Sequence, residues 1–413
     1  MNSRERILSA INHVESKVVP VDLGSTPSST ISAIAYNKLK AHMGINKGAT
    51  LVYDVVQQLA QPEDFILDAF QVDVIDVGRA FNQGKDDWYE VKLNDSSKAF
   101  YPAWFRPVKQ EDGYAYLDQD GDKLAFMPDS GAFFDQTFFP YLDGYPNNFK
   151  DLGKAMDKVL WQKLASSPWD NAHKPNFFKT LRQRCLHLIE TQDRALMLGA
   201  GCNLFEWGTF LRRIDNFLMD LILEPLEVER LLDALMEKHL KSLENICSSV
   251  GDLVDVVRLG DDLGTNEGPF MSPELYRKFF KPRHKILCDY IKKHSDMKVF
   301  LHSCGSIRLL LPDLIEAGFE IINPVQTSTK GMDPKELKRD FGKDLTFWGG
   351  GANTRWVLNR GTPEEVYDYT LNILDIFMPG GGYVFNTEHN IMPEVPPENI
   401  VSMFKAVKDF SQT

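Results

Sequence analysis

Cysteine is scarce in this sequence of 413 residues. The five cysteines are odd in number and unclustered: Cys185, Cys202, Cys247, Cys288 and Cys304. The pattern argues against the disulfide framework of a secreted protein and favours a reducing cytoplasm. No apolar run approaches the roughly 18 residues that span a bilayer, and the amino terminus lacks an apolar signal core. We therefore predict a cytoplasmic protein with no membrane partner.

Positive charge is also in short supply. The 46 Lys and Arg residues face 58 Asp and Glu residues, which leaves a formal net charge of -12. Proteins that bind the phosphate backbone usually carry the opposite sign, so nucleic acid is not expected as a partner. The remaining composition, 43% hydrophobic and 25% charged, is that of an ordinary globular protein and excludes a collagen-like or largely disordered chain.

The motifs of several common enzyme classes are missing. There is no Gly-x-Ser-x-Gly elbow and no Gly-x-x-x-x-Gly-Lys-Ser/Thr loop, which argues against a serine hydrolase and a P-loop enzyme. The glycine run at 380–382 precedes a predicted strand. Phosphate-binding glycines follow a strand and open a helix, so this run does not indicate a nucleotide site.

Short apolar runs do alternate with longer helical stretches along the chain, and this alternation is typical of a parallel α/β sheet or barrel. Eight such runs match the strand count of a (β/α)8 TIM barrel, with a doubly wound open sheet as the alternative. The predicted strands are Val18–Leu23, Val72–Val77, Ala195–Ala200, Asp255–Leu259, Lys298–Leu301, Glu320–Asn323, Leu345–Trp348 and Gly382–Phe385.

Capping residues mark the starts of two helices between these strands. Ser272 and Pro273 combine an N-cap with a proline at the first helical position, and they predict a helix that ends near His294. Thr362 and Pro363 repeat the pattern before the last strand.

One long segment interrupts the alternation. Residues 81–139 contain short alternating runs separated by Asp-Gly turns. We interpret the segment as an N-terminal β-hairpin insertion that lies over the barrel mouth as a lid, within a single barrel domain formed by residues 1–413.

Polar clusters fall just beyond the carboxyl ends of the predicted strands, where barrel enzymes build their sites. This placement favours an enzyme. Four of these residues, Asp261, Asn323, Gln326 and Glu388, are candidates for substrate binding.

Asp262 is a candidate for positioning substrate or handling a proton, with a loop-ordering or helix-capping carboxylate as the alternative. Asp76 is a second catalytic candidate, although a salt bridge to Arg79 would explain it equally well.

A His-x-Cys pair leaves the fifth predicted strand directly. Alternate residues at a strand end point the same way, so His302 and Cys304 could meet one metal ion. Zinc suits such mixed nitrogen and sulfur ligands, and His389 after the eighth strand is the best third ligand. A packed histidine beside a buried structural cysteine is the alternative explanation of the pair.

Several segments together resemble the uroporphyrinogen decarboxylase superfamily over nearly the whole chain. The resemblance implies a (β/α)8 barrel. The segments on which the resemblance rests are Asn2–His13, Val19–Asp22, Gly260–Thr265 continuing to Pro273, His302–Gly305, Asn323–Gln326, Phe347–Gly350, Gly361–Glu364, His389–Ile391 and Val395–Ile400.

The superfamily divides into two chemistries. Its haem-pathway decarboxylases carry an Arg-Gln-Ala-Gly-Arg segment that grips the propionate groups of the substrate. This chain has no arginine in the corresponding stretch, Asp22 to Pro27. The expected cationic clamp for a tetrapyrrole is therefore absent, although Asp76 matches the catalytic aspartate of that branch.

The other branch contains zinc methyltransferases that exchange methyl groups with a corrinoid protein. Their metal is held by a His-x-Cys pair, which His302 and Cys304 match, and by a later Cys, where this chain has His389. A second imidazole in place of a thiolate leaves a more electrophilic zinc, suited to polarising an oxygen or nitrogen.

The resemblance thus implies a zinc methyltransferase that moves a methyl group from an aryl methyl ether or methylamine to cobalamin on a partner protein. Two alternatives stand beside it: a metal-free decarboxylase of a smaller carboxylate, and a non-catalytic corrinoid- or tetrapyrrole-binding protein. Assembly into a homo-oligomer is compatible with the sequence.

Overall fold

A computed structural model describes residues 1–412 of the protein. The strands are β1 Ile31–Ser32, β2 Val52–Asp54, β3 Leu59–Ala60, β4 Val74–Asp76, β5 Trp88–Lys92, β6 Lys98–Pro102, β7 Val108–Lys109, β8 Gly113–Leu117, β9 Lys123–Pro128, β10 Asp135–Gln136, β11 Ala195–Gly201, β12 Val256–Gly260, β13 Lys298–His302, β14 Ile321–Asn323, β15 Thr346–Trp348 and β16 Tyr383–Val384.

Helices separate most of these strands. They are α1 Ser3–Ile11, α2 Ala33–His42, α3 Asp64–Ala69, α4 Leu152–Met156, α5 Leu160–Lys163, α6 Phe177–Thr191, α7 Phe205–Arg212, α8 Ile214–Leu223, α9 Pro225–Val250, α10 Pro273–Phe279, α11 Lys281–His294, α12 Leu311–Ala317, α13 Pro334–Phe341, α14 Pro363–Phe377 and α15 Pro397–Phe410. No helix within residues 1–412 is both long and apolar enough to cross a membrane.

Seven parallel strands form one curled sheet in the order β4, β11, β12, β13, β14, β15 and β16. The eighth position is filled by the chain around Val21, which bridges Phe385 in parallel and accepts a hydrogen bond from the Asp73 amide at 2.8 Å. These contacts join the two edges of the sheet and close a barrel. The predicted (β/α)8 fold is confirmed. The first predicted strand is reduced to a bridge, since Pro20 beside Val21 has no amide proton to donate.

Apolar side chains from successive strands fill the barrel interior as one buried cluster. Met197, Val256, Phe300 and Trp348 belong to it, together with residues of α1. Helix α1 is held at the amino end of the barrel by the Arg6–Asp73 ion pair at 3.1 Å. This end of the barrel is therefore closed, and only the opposite end is left for a site.

The predicted helix starts are confirmed. Ser272 caps α10 by accepting a hydrogen bond from the Leu275 amide, and Thr362 forms a capping box with Glu365 at the start of α14. The helix predicted to run to His294 is instead two helices, which break at Phe280. Pro282 in the first turn of α11 lacks an amide proton and explains the break.

Residues 81–139 contain six strands arranged in two antiparallel groups. Strands β5 and β6 form a hairpin, and β7 to β10 form a separate four-stranded sheet, so the segment is larger than the single hairpin that the sequence suggested. Phe105 is buried at its centre, stacked on Tyr116 and edge-on to Phe134. Its role as a lid stays a prediction.

Candidate active site

A cavity of about 920 Å³ opens at the carboxyl ends of the barrel strands. It lies at the end opposite α1, where (β/α)8 enzymes carry their sites. Its walls combine imidazole, carboxylate, guanidinium and aromatic side chains. The polar lining residues used below are Tyr53, Asp54, Asp76, Glu206, Arg258, Asp262, His302 and His389.

His302, Cys304 and His389 come together at this cavity. One ligand atom from each residue lies within 4.8 Å of the others, and the His302 Nε2 to Cys304 Sγ distance is 3.5 Å. Two ligands of a tetrahedral zinc, with bonds of roughly 2.1 Å to nitrogen and 2.3 Å to sulfur, stand about 3.6 Å apart. The His302–Cys304 spacing therefore suits a zinc ion, and His389 is near enough to serve as a third protein ligand.

The neighbours of His302 fix its tautomer. The Nδ1–H donates to Asn323 Oδ1 at 2.9 Å, while the Asn323 amide group donates to the Trp348 carbonyl and so sets the orientation of the oxygen. The Nε2 atom then carries the lone pair, which faces Cys304 Sγ at 3.5 Å and can bind a metal once the thiol has lost its proton. This is the usual arrangement around a ligating histidine. Burial lowers the pKa of His302 to about 4, so the ring is neutral at physiological pH.

The loop after β13 presents Cys304 to the cluster. Its amide donates to Asp262 Oδ1 at 2.8 Å, and Gly305 follows with a positive φ of +87°. A Cβ at Gly305 would stand 2.3 Å from the Gly264 carbonyl carbon, so only glycine permits this close approach. The Gly305 amide donates to Gln326 Oε1, which gives Gln326 a role in shaping the loop.

The Cys304 thiol is held neutral by its surroundings. Burial raises its pKa well above the usual range, and the nearby charges of Asp262 and Glu206 raise it further. A metal that binds Cys304 as thiolate must therefore displace a proton. Burial likewise lowers the pKa of His389, which keeps its ring neutral and able to act as a ligand.

Asp261 and Asp262 are adjacent in sequence but have opposite environments. Asp261 is fully buried, accepts from the backbone amides of residues 204–206 at the start of α7, and contacts His284 Nε2 at 3.0 Å. The Asp262 side chain is 38% exposed in the cavity, 3.6 Å from His302 Nε2. Asp261 thus orders a helix start, which leaves Asp262 as the carboxylate beside the cluster.

Asn323 and Glu388, which the sequence selected as substrate-binding candidates, are buried. Asn323 holds His302 as described above. Glu388 accepts hydrogen bonds from the Thr327 hydroxyl at 2.5 Å and from the Ser328 amide at 2.9 Å. Both residues brace loops behind the cavity wall.

Asp76 ends β4 and lines the cavity. Its Oδ1 accepts a hydrogen bond from the Gly78 amide, and burial raises its pKa to about 7. The salt bridge to Arg79 is not formed, because Arg79 pairs with Asp64 at 2.6 Å. Asp76 is consequently a carboxyl group that titrates near neutral pH inside the cavity.

Among the cavity residues that were not selected from the sequence are Asp54, Glu206 and Arg258. Burial raises the pKa of Glu206 well above its usual range, with contributions from the charges of Asp262 and Asp261. Arg258 is the central residue of β12, between buried apolar neighbours. A charged residue inside an apolar strand is an unusual pattern, and this pattern could have identified Arg258 as a functional candidate from the sequence.

Aromatic side chains form the apolar part of the wall. Phe133 and Phe134 come from the inserted segment, whereas Trp88 and Trp104 of the same segment do not line the cavity. The other aromatic lining residues are Trp161, Trp169, Phe178, Trp207 and Phe210. A flat apolar molecule of moderate size fits these surroundings.

The protein therefore belongs to the class of (β/α)8 barrel proteins that have a polar site at the carboxyl ends of their strands. Residues 202–410, just over half of the chain, match the sequence model of the family described as Uroporphyrinogen decarboxylase (URO-D). The chain belongs to this family.

Curated relatives match over shorter stretches. The uroporphyrinogen decarboxylase of Pseudoalteromonas translucida is 29% identical over 149 residues, which cover 35% of this chain and 39% of that protein. The Coxiella burnetii enzyme of the same name (strain Dugway 5J108-111) is 26% identical over 162 residues, covering 38% and 41%. The chain thus spans about two fifths of the length of the relatives that it matches.

The solved structure of a methyltransferase from Methanosarcina mazei is similar over 99% of both chains, with a TM-score of 0.59 and 15% sequence identity. At this identity the likeness establishes the fold alone. It confirms the barrel independently of the strand pairing described above.

Proposed function

We propose that the protein is a zinc-dependent methyltransferase that moves a methyl group from a methylated small molecule to a corrinoid carried by a partner protein. The observation that carries the proposal is the His302, Cys304 and His389 cluster, with ligand atoms within 4.8 Å of one another at the barrel mouth. Neither a packed core histidine nor a buried structural cysteine requires three such groups to converge on one cavity.

His302, Cys304 and His389 would hold the metal, and Asn323 would fix the His302 ring. A bound zinc ion supplies a Lewis acid that draws electron density from an oxygen or nitrogen atom of the substrate. One thiolate and two neutral imidazoles give the site less negative charge than two thiolates would, which favours an ether or amine over a thiol as the bound group.

The chain's own residues handle the proton. When the methyl carbon passes to the partner's corrinoid, the electron pair of the broken C–O or C–N bond stays on the leaving group, which then needs a proton. Burial raises the pKa of Glu206 well above its usual range, which favours the protonated form that can donate. We assign the proton donation to Glu206 and the orientation of the substrate to Asp262, with Asp76 as a second acid in the cavity.

The inserted segment 81–139 would act as a lid. Phe133 and Phe134 place its apolar side chains in the cavity wall. Water that these rings exclude can neither solvate the leaving group nor compete for its proton. The cavity would then open toward the partner protein when product leaves.

Metal analysis and a methyl-transfer assay test the proposal together. We expect near-stoichiometric zinc in the purified, tag-free protein, and methylation of cob(I)alamin by methoxylated aromatic or methylated amine donors. The Cys304→Ser variant should lose both zinc and activity, while the matched Cys185→Ser variant, buried against α6 neighbours outside the site, should keep both. Protein that stays free of zinc after reloading, or a Cys304→Ser variant with full activity, would contradict the proposal.

A metal-free decarboxylase is the second candidate, and it is favoured by Asp76. A carboxyl group with a pKa near 7 can give a proton to the carbon that loses carbon dioxide. In that case Asp76→Asn should abolish turnover of carboxylate substrates, while His389→Ala should leave it unchanged. Under the methyltransferase proposal His389→Ala removes a ligand and activity falls with the metal content.

A further inference from the structure

Arg258 is a cation that makes no close ion pair in the barrel interior. Within residues 1–412 its side chain makes no ion pair or hydrogen bond, and its Nε is buried without an acceptor. Other arginines in the barrel are paired: Arg6 with Asp73, Arg79 with Asp64 and Arg212 with Asp220. A buried donor left unsatisfied costs free energy, so an unpaired guanidinium at a cavity wall points to an anionic ligand.

Arg258 lies beside a glycine of the neighbouring strand. Gly199 of β11 lies directly opposite Arg258 in the parallel ladder. A Cβ at Gly199 would stand 3.6 Å from an Arg258 terminal nitrogen, an ordinary van der Waals distance, so the guanidinium lies beside this glycine.

An indole ring borders the same glycine. Trp169 Nε1 donates to the Gly199 carbonyl at 2.6 Å, and Trp169 lines the cavity. The cation and an aromatic ring therefore both lie next to Gly199 and both line the cavity. This pairing fits a molecule that joins a planar ring to an anionic group.

The charge around Arg258 selects the kind of anion. Asp54, Asp76 and Glu206 line the same cavity, and the Arg258 charge lowers the pKa of each against the effect of burial. A dianionic phosphate would be repelled by these carboxyl groups whenever they ionise, whereas a singly charged carboxylate balances the one guanidinium.

We propose that Arg258 binds the carboxylate of the substrate, and that the substrate is a small aromatic acid whose ring packs against Trp169. The transferred methyl group would be carried by a substituent of that ring; this part of the inference rests on the proposed function. The metal ligands His302 and His389 line the same cavity as Arg258. The anionic and reacting ends of one small molecule could then be held at the same time.

Binding of matched acids and amides tests the inference without turnover. The probes are 3-methoxybenzoate, 4-methoxybenzoate and 3,4-dimethoxybenzoate, each beside its neutral carboxamide. Affinity is measured by calorimetry on the full-length protein, as isolated and after removal of metal by a chelator, because a carboxylate could also bind a metal. At least one acid should bind roughly tenfold to a hundredfold more tightly than its amide in both preparations.

Two variants then assign the preference to the side chain. Arg258→Met should bring the affinity for that acid down to that of its amide, whereas Arg258→Lys should retain part of the preference. Circular dichroism confirms that both variants are folded. If no acid is preferred by the wild type, or if Arg258→Met keeps the preference, the inference is overturned.

The outcome for Arg258 is separable from that of the proposed function. An Arg258-dependent preference for acids in a protein that neither holds zinc nor methylates cob(I)alamin would support the anion site and reject the methyltransferase. Methyl transfer by a protein with no such preference would support the methyltransferase and reject the anion site.

Discussion

The two ends of the barrel treat charge in opposite ways. At the amino end, Arg4 pairs with Asp255 at 2.8 Å and Arg6 pairs with Asp73 at 3.1 Å, so that each buried carboxylate faces a cation. At the carboxyl end, within residues 1–412, Arg258 makes no close ion pair, its Nε is buried without an acceptor, and the hydroxyl of Tyr53 is buried without a partner. The amino end pairs its buried carboxylates with cations, although the Oδ1 atom of Asp73 has no partner among the same residues. The carboxyl end instead leaves a cation without an anion beside the cavity, which a ligand can satisfy.

The largest expected effect comes from breaking the amino end. Asp73 is buried, pairs with Arg6 and accepts a hydrogen bond from the Val21 amide at 3.0 Å, which helps to close the barrel. Asp73→Ala leaves both donors unsatisfied, and we expect the free energy of unfolding to fall by about 3 kcal/mol. Urea denaturation measures the change. A loss below about 1 kcal/mol would show that the two ends do not differ as described.

The second effect concerns the support of the metal ligand. Asn323→Ala removes the acceptor that holds His302 Nδ1. Loss of such a supporting group costs roughly tenfold to a hundredfold in metal affinity, which a competition titration with a zinc-binding dye measures. Asn399→Ala is the matched control, since Asn399 of α15 is buried and donates to the backbone carbonyls of Leu358 and Gly361, just before α14. Equal zinc affinities in the two variants would argue against the assigned role of Asn323.

The third effect is a pH dependence from Asp76. Its pKa is raised from 3.8 to about 7 in the folded protein, so the native state binds a proton that the unfolded state has already released. The associated stability is present below pH 4 and is lost as pH rises to 7. Asp76→Asn removes this loss, so its stability relative to wild type should rise steadily between pH 4 and 7.

Asparagine is the suitable replacement because its oxygen can still accept from the Gly78 amide. Chemical denaturation at a series of pH values gives the difference directly. A difference between the two proteins that does not change across this window would mean that Asp76 titrates normally.

The smallest effect is expected at the unpaired cation. Arg258→Met removes no hydrogen bond or ion pair within residues 1–412, so the free energy of unfolding should change by less than about 1 kcal/mol, or rise. Thermal and urea denaturation without ligand provide the measurement. A loss as large as that of Asp73→Ala would indicate that Arg258 stabilises the fold and that the comparison between the ends is wrong.

Much of the fold follows from local patterns. Seven predicted strands overlap β4, β11, β12, β13, β14, β15 and β16, and the capping residues Ser272 and Thr362 mark true helix starts. The break at Phe280 was missed although Pro282 was visible, because a proline in a first turn is equally compatible with a new helix and with a kink in a continuing one.

The candidate site was predictable in part. His302 and Cys304 leave one strand, and a closed barrel brings His389 back to them, so their convergence follows from the strand order. Glu206 and Asp54 gave no such signal. Each is an ordinary acidic residue near an element boundary, and only burial in a shared cavity changes its pKa.

The sequence by itself determined the alternation of strands and helices, the position of polar residues after strand ends, and the membership of the chain in its family. Tertiary structure decided which of two adjacent carboxylates, Asp261 or Asp262, faces the cavity, because neighbouring side chains at a strand end project in opposite directions. It also decided that Arg258 makes no close ion pair. A charge becomes costly only when water is withdrawn from it, and that depends on what the other strands place around it.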